Sequence, residues 1–508
     1  MDKILILDFG SQYNQLIARR VRELGVYSEI VPFDIDIKEI ANPDVKGIIL
    51  SGGPNSVYDD FSPRIDKEVF SLKPVLGICY GMQLTQSMFG GVVSRSDKRE
   101  YGKSTLRIKS NNEILDGVTD DSIVWMSHGD HVDELSEDFE LLADTDSCFA
   151  VAKHKTLPIY NLQFHPEVTH TEFGHLIIEN FVVDICNSKK QWSMGNYIEK
   201  TVEGISKTVK NKQVILGLSG GVDSSVAAVL VHKAIGDRLT CIFVDTGLMR
   251  KDEGKKVMEL YGEHYHMNIK SVDAKSLFLD NLKGVTDPED KRKIIGRLFI
   301  DVFNAEKEKM IDADFLAQGT IYPDVIESQS VKGPSNVIKS HHNVGGLPGD
   351  MKFKLIEPLR ELFKDEVRKV GLELGIPRNM IMRHPFPGPG LGIRVIEEVT
   401  LEKVKILQKA DDIFITSLIE AGLYEKTSQA FVTLLPCKTV GVMGDNRTYE
   451  YVAAIRSVNT SDFMTAHFSR LPYDFLESVA TKIINEVRGI NRVVYDITSK
   501  PPGTIEWE

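Results

Sequence analysis

The pentapeptide Gly77-Ile78-Cys79-Tyr80-Gly81 sets a thiol between two glycines, where the apolar run 75–78 gives way to an amphipathic stretch. A strand that turns sharply into a helix can present such a side chain as a nucleophile, and the glycines allow the turn. A thiol works as a nucleophile only beside a base, and the base needs an acceptor to orient it. His165-Pro166-Glu167 supplies both, directly after the apolar run 158–164. In extended chain the i, i+2 spacing sends His165 and Glu167 to one side, and Pro166 stiffens the link between them. A third piece, Ser51-Gly52-Gly53-Pro54, ends the apolar run 47–50, and its glycines can offer uncovered backbone N–H groups to a developing oxyanion. Taken singly, Cys79 fits a buried structural cysteine and His165 a satisfied core histidine just as well.

Together the three pieces resemble the class I glutamine amidotransferase family over most of residues 1–188. That resemblance implies Cys79 as nucleophile, His165 as base and Glu167 as its orienter, with an oxyanion hole at Gly52, Gly53 and the N–H of Tyr80. It also implies glutamine as substrate and ammonia as the nitrogen released from it.

A second constellation, Ser219-Gly220-Gly221-Val222-Asp223-Ser224-Ser225, lies between the apolar run 213–218 and the apolar helical stretch 226–234. Backbone and hydroxyl donors at a helix N-terminus stabilise anions, so this is a phosphate cradle. The G-x-x-x-x-G-K-[ST] pattern of γ-phosphoryl transfer occurs nowhere in the chain. A Ser/Gly-rich helix cap would account for one Ser and one Gly but not for all seven residues. The motif resembles the pyrophosphatase loop of the N-type ATP pyrophosphatases, which split ATP into AMP and pyrophosphate. By that resemblance the loop holds the departing pyrophosphate, and Asp223 and Ser224 sit near Mg2+, a hard cation that prefers oxygen ligands. Asp245 ends the next strand, where open α/β sheets bind ligands, although a turn carboxylate would stand there equally well.

Further motifs select an acceptor. Gln318-Gly319-Thr320-Ile321-Tyr322-Pro323-Asp324-Val325-Ile326-Glu327-Ser328, the segment 383–392 (RHPFPGPGLG), Val440-Gly441-Val442-Met443-Gly444-Asp445 and the tail 500–508 (KPPGTIEWE) closely resemble the GMP synthetase family, essentially over the whole chain. The resemblance implies that ATP adenylylates the C2 carbonyl oxygen of xanthosine 5′-phosphate and that ammonia then displaces AMP. It implies ATP contacts at Gln318, Gly319 and Thr320, acceptor contacts at Arg297, Gln429, Lys500, Ile505 and Glu506, and a homodimer joined through the C-terminal domain. Arg297 and Lys500 suit a phosphate, Glu506 suits a purine N–H or ribose hydroxyl, and Ile505 would act through its backbone. The Gly-, His- and Lys-rich stretch 332–352, with Lys332, Lys339 and Lys352, is expected to close over ATP, and the tail to fold into the acceptor pocket. A tRNA-thiolating or NAD-forming enzyme of this architecture would be the alternative catalyst. Thiolation would want a paired cysteine and a basic face, and neither is visible. A non-catalytic sensor would have lost a triad residue, and none is lost.

The elements that position these sites read as follows. Along 1–190 and again along 213–383, short β-branched apolar runs alternate with amphipathic stretches, the signature of parallel α/β sheets. The polar stretch 187–195 (NSKKQWSMG) is a candidate linker, and three prolines in 383–392 exclude a helix there. The expected fold is two parallel-sheet α/β domains, the amidotransferase at 1–188 and the ATP pyrophosphatase at 192–383, followed by a smaller α+β domain at 384–508. At 508 residues the chain is long enough for several cores. A net charge of −12 argues against a non-specific nucleic-acid binder, and five scattered cysteines suggest neither a zinc site nor a disulfide framework. No signal-peptide pattern and no membrane-length apolar run is present, so the expected location is the cytoplasm, with no membrane partner.

Overall fold

In the computed structural model, which describes residues 1–309, 313–329, 354–443, 446–460, 463 and 465–508, the runs picked out above become strands. The expected lid with Lys332, Lys339 and Lys352 lies outside the described residues, as do Gly444 and Asp445. The chain divides into two compact units, Met1–Tyr197 with Pro323–Gly346 and Ile198–Tyr322 with Leu347–Glu508.

The first unit holds a nine-stranded sheet. Its parallel part runs Tyr27–Pro32, Lys3–Asp8, Val45–Leu50, Val75–Ile78, Ile159–Leu162. These strands are apolar without alternation because both faces are covered: Ile4, Ile48, Ile49, Leu50, Val75, Leu76 and Ile78 are fully buried. The sheet continues antiparallel through Phe149–His154, Phe139–Asp144, Val92–Ile108 and Ser122–Glu134. Those four strands were not apparent in the sequence, because Val92–Ile108 carries charges throughout rather than a period-2 apolar pattern. The segment 187–195 is mostly exposed but is pinned at one point: Trp192 is buried, its ring lies tilted 4.8 Å from that of Tyr27 and under the Arg22 guanidinium, and its backbone N–H donates to Gly25 O at 2.7 Å.

In the second unit five parallel strands lie in the order Asn268–Asp273, Leu239–Asp245, Gln213–Gly217, Ala313–Ala317, Lys354–Ile356. The order reverses between Gln213–Gly217 and Ala313–Ala317, the kind of crevice in which open sheets hold ligands. Beyond the Pro/Gly segment, helix Leu401–Glu420 packs on the long antiparallel pair Gln429–Met443 and Asn446–Asn459, with Ile490–Asp496 added parallel to the latter. One buried cluster runs from Ile215 through Phe414 and Val432 to Ile490, so these elements share a core with the five-stranded sheet. Leu391 donates to Leu248 O at 2.7 Å, and a side chain at Gly390, whose φ is +62°, would strike that carbonyl. Gly390 and Gly392 therefore serve close packing, not a dinucleotide turn.

Candidate active sites

Cys79 stands between strand Val75–Ile78 and helix Tyr80–Met88 with φ 52° and ψ −105°, a conformation a side-chain-bearing residue adopts only under constraint. The constraint is visible at both flanking glycines. A β-carbon on Gly77 would lie 2.7 Å from Asn161 Oδ1 and 2.7 Å from Gly81 O, and one on Gly81 would lie 2.7 Å from Leu50 Cβ and strike Leu50 O. Only glycine lets helix and strand approach this closely. Cys79 N donates to Leu162 O at 2.7 Å, pinning the turn to the neighbouring strand.

His165 and Glu167 follow strand Ile159–Leu162, and both are buried. Nδ1 of His165 lies 2.7 Å from Glu167 Oε1, while Glu167 Oε2 has no partner among the described residues. The backbone of His165 is held at both ends: its N–H donates to Trp125 O at 3.0 Å, and its carbonyl accepts from Thr171 Oγ1 at 2.7 Å. Burial alone would lower the imidazole's pKa, but the Glu167 carboxylate and the Cys79 sulfur together outweigh it and raise it well above the ordinary value.

Gly52 and Gly53 follow strand Val45–Leu50 and complete the arrangement. The position a Gly52 β-carbon would take is 3.2 Å from His165 Cε1 and 3.7 Å from Cys79 Cβ, so base and nucleophile converge on this glycine. Ser51 Oγ donates to Gly52 O at 3.0 Å and accepts from Phe9 N at 3.1 Å, which fixes the Gly52–Gly53 peptide. Among the described residues no group accepts from the N–H of Gly52, Gly53 or Tyr80. Three uncommitted donors beside a strained thiol can stabilise an oxyanion.

The 219–225 loop connects the central strand Gln213–Gly217 to helix Val222–Ile235. Ser219 Oγ and Ser224 Oγ are 3.0 Å apart, Ser224 Oγ donates to Gly221 O at 3.1 Å, and Gly220 takes φ +77°. Gly319 presses on the loop, since a β-carbon there would lie 3.0 Å from Asp223 C and 3.1 Å from Ser224 N. Thr320 is fully buried, and neither its Oγ1 nor Gln318 Oε1 has a hydrogen-bond partner among the described residues, so polar atoms short of partners there gather beside the cradle. Asp245 is already engaged, accepting from Gly247 N at 3.0 Å and facing Lys275 Nζ at 3.1 Å.

Two further residues bear on this site: Lys364, unremarked in the sequence, and Arg383, noted there only as the start of the Pro/Gly segment 383–392. Lys364 Nζ donates to both Asp223 oxygens, at 2.6 and 2.5 Å. A lysine opening helix Lys364–Glu373 opposes the helix dipole, and that misplacement was the available signal. Arg383 donates to Gly220 O at 3.0 Å and pairs with Glu253, bracing the loop from the Pro/Gly segment.

The acceptor candidates are only partly brought together. Glu506 accepts from Arg394 Nε and Nη2 at 3.0 and 2.8 Å and from Gln429 Nε2 at 2.7 Å, while Ile505 packs with Phe431, Val458 and Ala466. Lys500 instead donates to Phe463 O at 2.6 Å, and Arg297 stands exposed on helix Pro288–Glu308. The same helix anchors the tail through other residues: the buried Lys291 pairs with Glu508 at 2.5 Å, and Arg292 donates to Glu508 O at 2.6 Å. Fully buried Arg456 donates to Thr498 O at 2.6 Å and Thr504 O at 3.2 Å.

Comparison with known proteins matches three segments of the chain to families. Residues 5–185 match the glutamine amidotransferase class-I family, 194–293 the NAD synthase family and 416–507 the GMP synthase C terminal domain. The glutamine-hydrolysing GMP synthase of Fusobacterium nucleatum is 63% identical, with 99% of each chain aligned. Those of Mesoplasma florum and Brachyspira hyodysenteriae are 60% and 57% identical, each over 100% of this chain and 99% of the other. The chain belongs to the glutamine-hydrolysing GMP synthase family. As a GMP synthase it is an ATP-using carbon–nitrogen ligase of purine biosynthesis with glutamine as amido donor. The NAD synthase match covers residues 194–293, which hold the ATP loop, whereas the GMP synthase relatives align along the whole chain. No helix among the described residues is long and apolar enough to cross a membrane.

Proposed function

We propose that the chain makes GMP from xanthosine 5′-phosphate by joining two reactions. At the first site Cys79 attacks the amide carbon of glutamine, and the oxyanion accepts from the N–H groups of Gly52, Gly53 and Tyr80. His165 takes the thiol proton and passes it to the departing ammonia, leaving a thioester. It then takes a proton from water, whose attack releases glutamate and restores the thiol. Glu167 keeps Nδ1 of His165 protonated and stabilises the imidazolium.

At the second site the C2 carbonyl oxygen of xanthosine 5′-phosphate attacks the α-phosphorus of ATP, and pyrophosphate departs into the 219–225 loop with Gln318, Gly319 and Thr320 beside it. The acceptor then carries AMP as a leaving group, and ammonia replaces it at C2. Mg2+, which would be held by Asp223 and Ser224, supplies neutralisation of the pyrophosphate charge. Those residues offer only oxygen, as a hard cation requires, and Lys364, which donates to both Asp223 oxygens, would turn aside to admit it. Gln429, Ile505 and Glu506 bind the acceptor nucleotide, with Arg297 and Lys500 as its phosphate cations. The three-part division at 1–188, 192–383 and 384–508 follows these tasks. Exposed Val440, Val442 and Tyr449 share one face of the paired strands Gln429–Met443 and Asn446–Asn459 and support a homodimer through this region. A cytoplasmic location suits the enzyme.

The observation that carries the reading is the convergence of strained Cys79, the His165–Glu167 pair and three uncommitted N–H donors. Cys79→Ala tests it: GMP formation with glutamine should vanish while formation with added ammonium persists. Equal loss with both nitrogen sources overturns the two-site scheme.

A further inference from the structure

Glu100 and His128 are direct cross-strand partners in the antiparallel pair Val92–Ile108 and Ser122–Glu134. Cys148 ends the turn between the neighbouring strands Phe139–Asp144 and Phe149–His154. One oxygen of Glu100, one ring nitrogen of His128 and the sulfur of Cys148 all lie within 4.8 Å of one another. Three Lewis bases of different kinds thus meet at one point, contributed by three elements of the same sheet.

The polar accounting at this point is incomplete. The His128 side chain is 3% exposed, and neither ring nitrogen has a hydrogen-bond partner among the described residues. Its Nε2 lies 3.3 Å from Glu100 Oε2, which also lacks one. Beyond that 3.3 Å contact these buried atoms make no hydrogen bond of ordinary geometry among the described residues, and leaving polar groups short of partners costs free energy, so the site has capacity for an occupant. The other Glu100 oxygen is committed, accepting from Ser104 Oγ and from Ser147 Oγ at 2.6 Å each. Those two bonds aim Oε2 at His128, and Thr145 Oγ1 lies 3.5 Å from the Cys148 sulfur. Outer hydrogen bonds that orient a carboxylate and a sulfur are what ligand groups of a metal site have around them.

We propose that Glu100, His128 and Cys148 bind a borderline-soft divalent cation of the zinc type. Nitrogen, sulfur and carboxylate oxygen are the donors zinc takes, and three protein ligands leave one position open. Bonds of about 2.0 Å around a tetrahedral ion give ligand-to-ligand edges of roughly 3.3 Å, which is the His128 to Glu100 separation, 3.3 Å. The sulfur, within 4.8 Å of both other donors, has to move closer to complete the triangle, and the thiol proton passes to solvent as the thiolate binds. His128 adjoins Ser127, whose carbonyl lies 3.8 Å from the Cys79 sulfur, so an ion here would stiffen the strand that faces the nucleophile.

The test uses full-length protein carrying Cys79→Ala, so that the nucleophile cannot itself take up metal. Zinc binding is measured by competition with a chromophoric chelator, and cobalt is substituted to read the sulfur-to-metal charge-transfer band. One equivalent of zinc should bind per chain with the thiolate band present. Cys148→Ser should abolish the band, and Cys148→Ser, His128→Asn and Glu100→Gln should each weaken binding by ~10-fold or more. Ser104→Ala, which leaves all three ligands in place, should weaken it measurably. Binding well below one equivalent, or a band that survives Cys148→Ser in chains whose circular dichroism is unchanged, overturns the assignment and leaves His128 and Glu100 as an ion pair only.

Discussion

Replacing Glu167 by glutamine isolates the orienting group, because every contact from Glu167 to His165 passes through one oxygen. Oε1 lies 2.7 Å from His165 Nδ1, and Oε2 has no partner among the described residues. The amide oxygen of glutamine can keep the Nδ1–H bond at the same place, so geometry survives and charge is lost. A charge-assisted hydrogen bond contributes about 1.5–3 kcal/mol and a neutral one about 0.5–1.5, so roughly 1–1.5 kcal/mol of imidazolium stabilisation disappears. Glu167 is fully buried, and solvent screening does not soften the change. That difference is about a tenfold fall in kcat for glutamine hydrolysis. The new amide NH2 takes the place of Oε2, which already lacks a partner among the described residues, so no buried polar group is newly stranded. The assay is glutamate release under saturating ATP and acceptor, beside GMP formation from ammonium. The reasoning predicts a roughly tenfold lower kcat, a nearly unchanged KM for glutamine and full ammonium-dependent activity. A KM effect with kcat intact, or an equal loss with ammonium, refutes it.

Arg394→Ala should cost about 1.5–3 kcal/mol, the worth of charge-assisted hydrogen bonds, by taking from half-buried Glu506 its bidentate partner, and chains that fold should show a raised KM for xanthosine 5′-phosphate with the KM for ATP unchanged. Chemical denaturation and steady-state kinetics check both parts, and a silent tail would show as an unaltered acceptor KM. The folded pKa of His165 stands above its unfolded value of about 6.5, so the pairing contributes stability that is fully present below that pH and is lost as pH rises through the folded pKa. The stability gap between the wild type and His165→Gln, measured by denaturant titration, should narrow toward alkaline pH; a gap that widens contradicts the pairing.

The sites legible in the sequence were those whose residues stand next to one another in the chain. The G-x-C-x-G motif showed itself because a sharp strand-to-helix turn demands glycines at fixed offsets, and the structure explains both by the crowding at Asn161 and Leu50. Pairings across long sequence separations left little local trace: Lys364 with Asp223, Arg383 with Glu253, and Arg394 with Glu506. The alternation of apolar runs marked the parallel strands, buried on both faces, but not the charged strand Val92–Ile108, whose place comes from its neighbours rather than its own pattern. Within the candidate linker 187–195 the buried Trp192 is an anchor that its polar neighbours did not announce.

The central claim is that the acceptor's own oxygen is carried away by AMP. The direct measurement supplies xanthosine 5′-phosphate with heavy oxygen at C2, together with ATP and glutamine, and analyses the products by mass spectrometry. Attack of that oxygen on the α-phosphorus predicts one heavy oxygen in each AMP, none in pyrophosphate and no ADP. Heavy oxygen released as water with unlabelled AMP, or ADP in stoichiometric amount, would contradict the account.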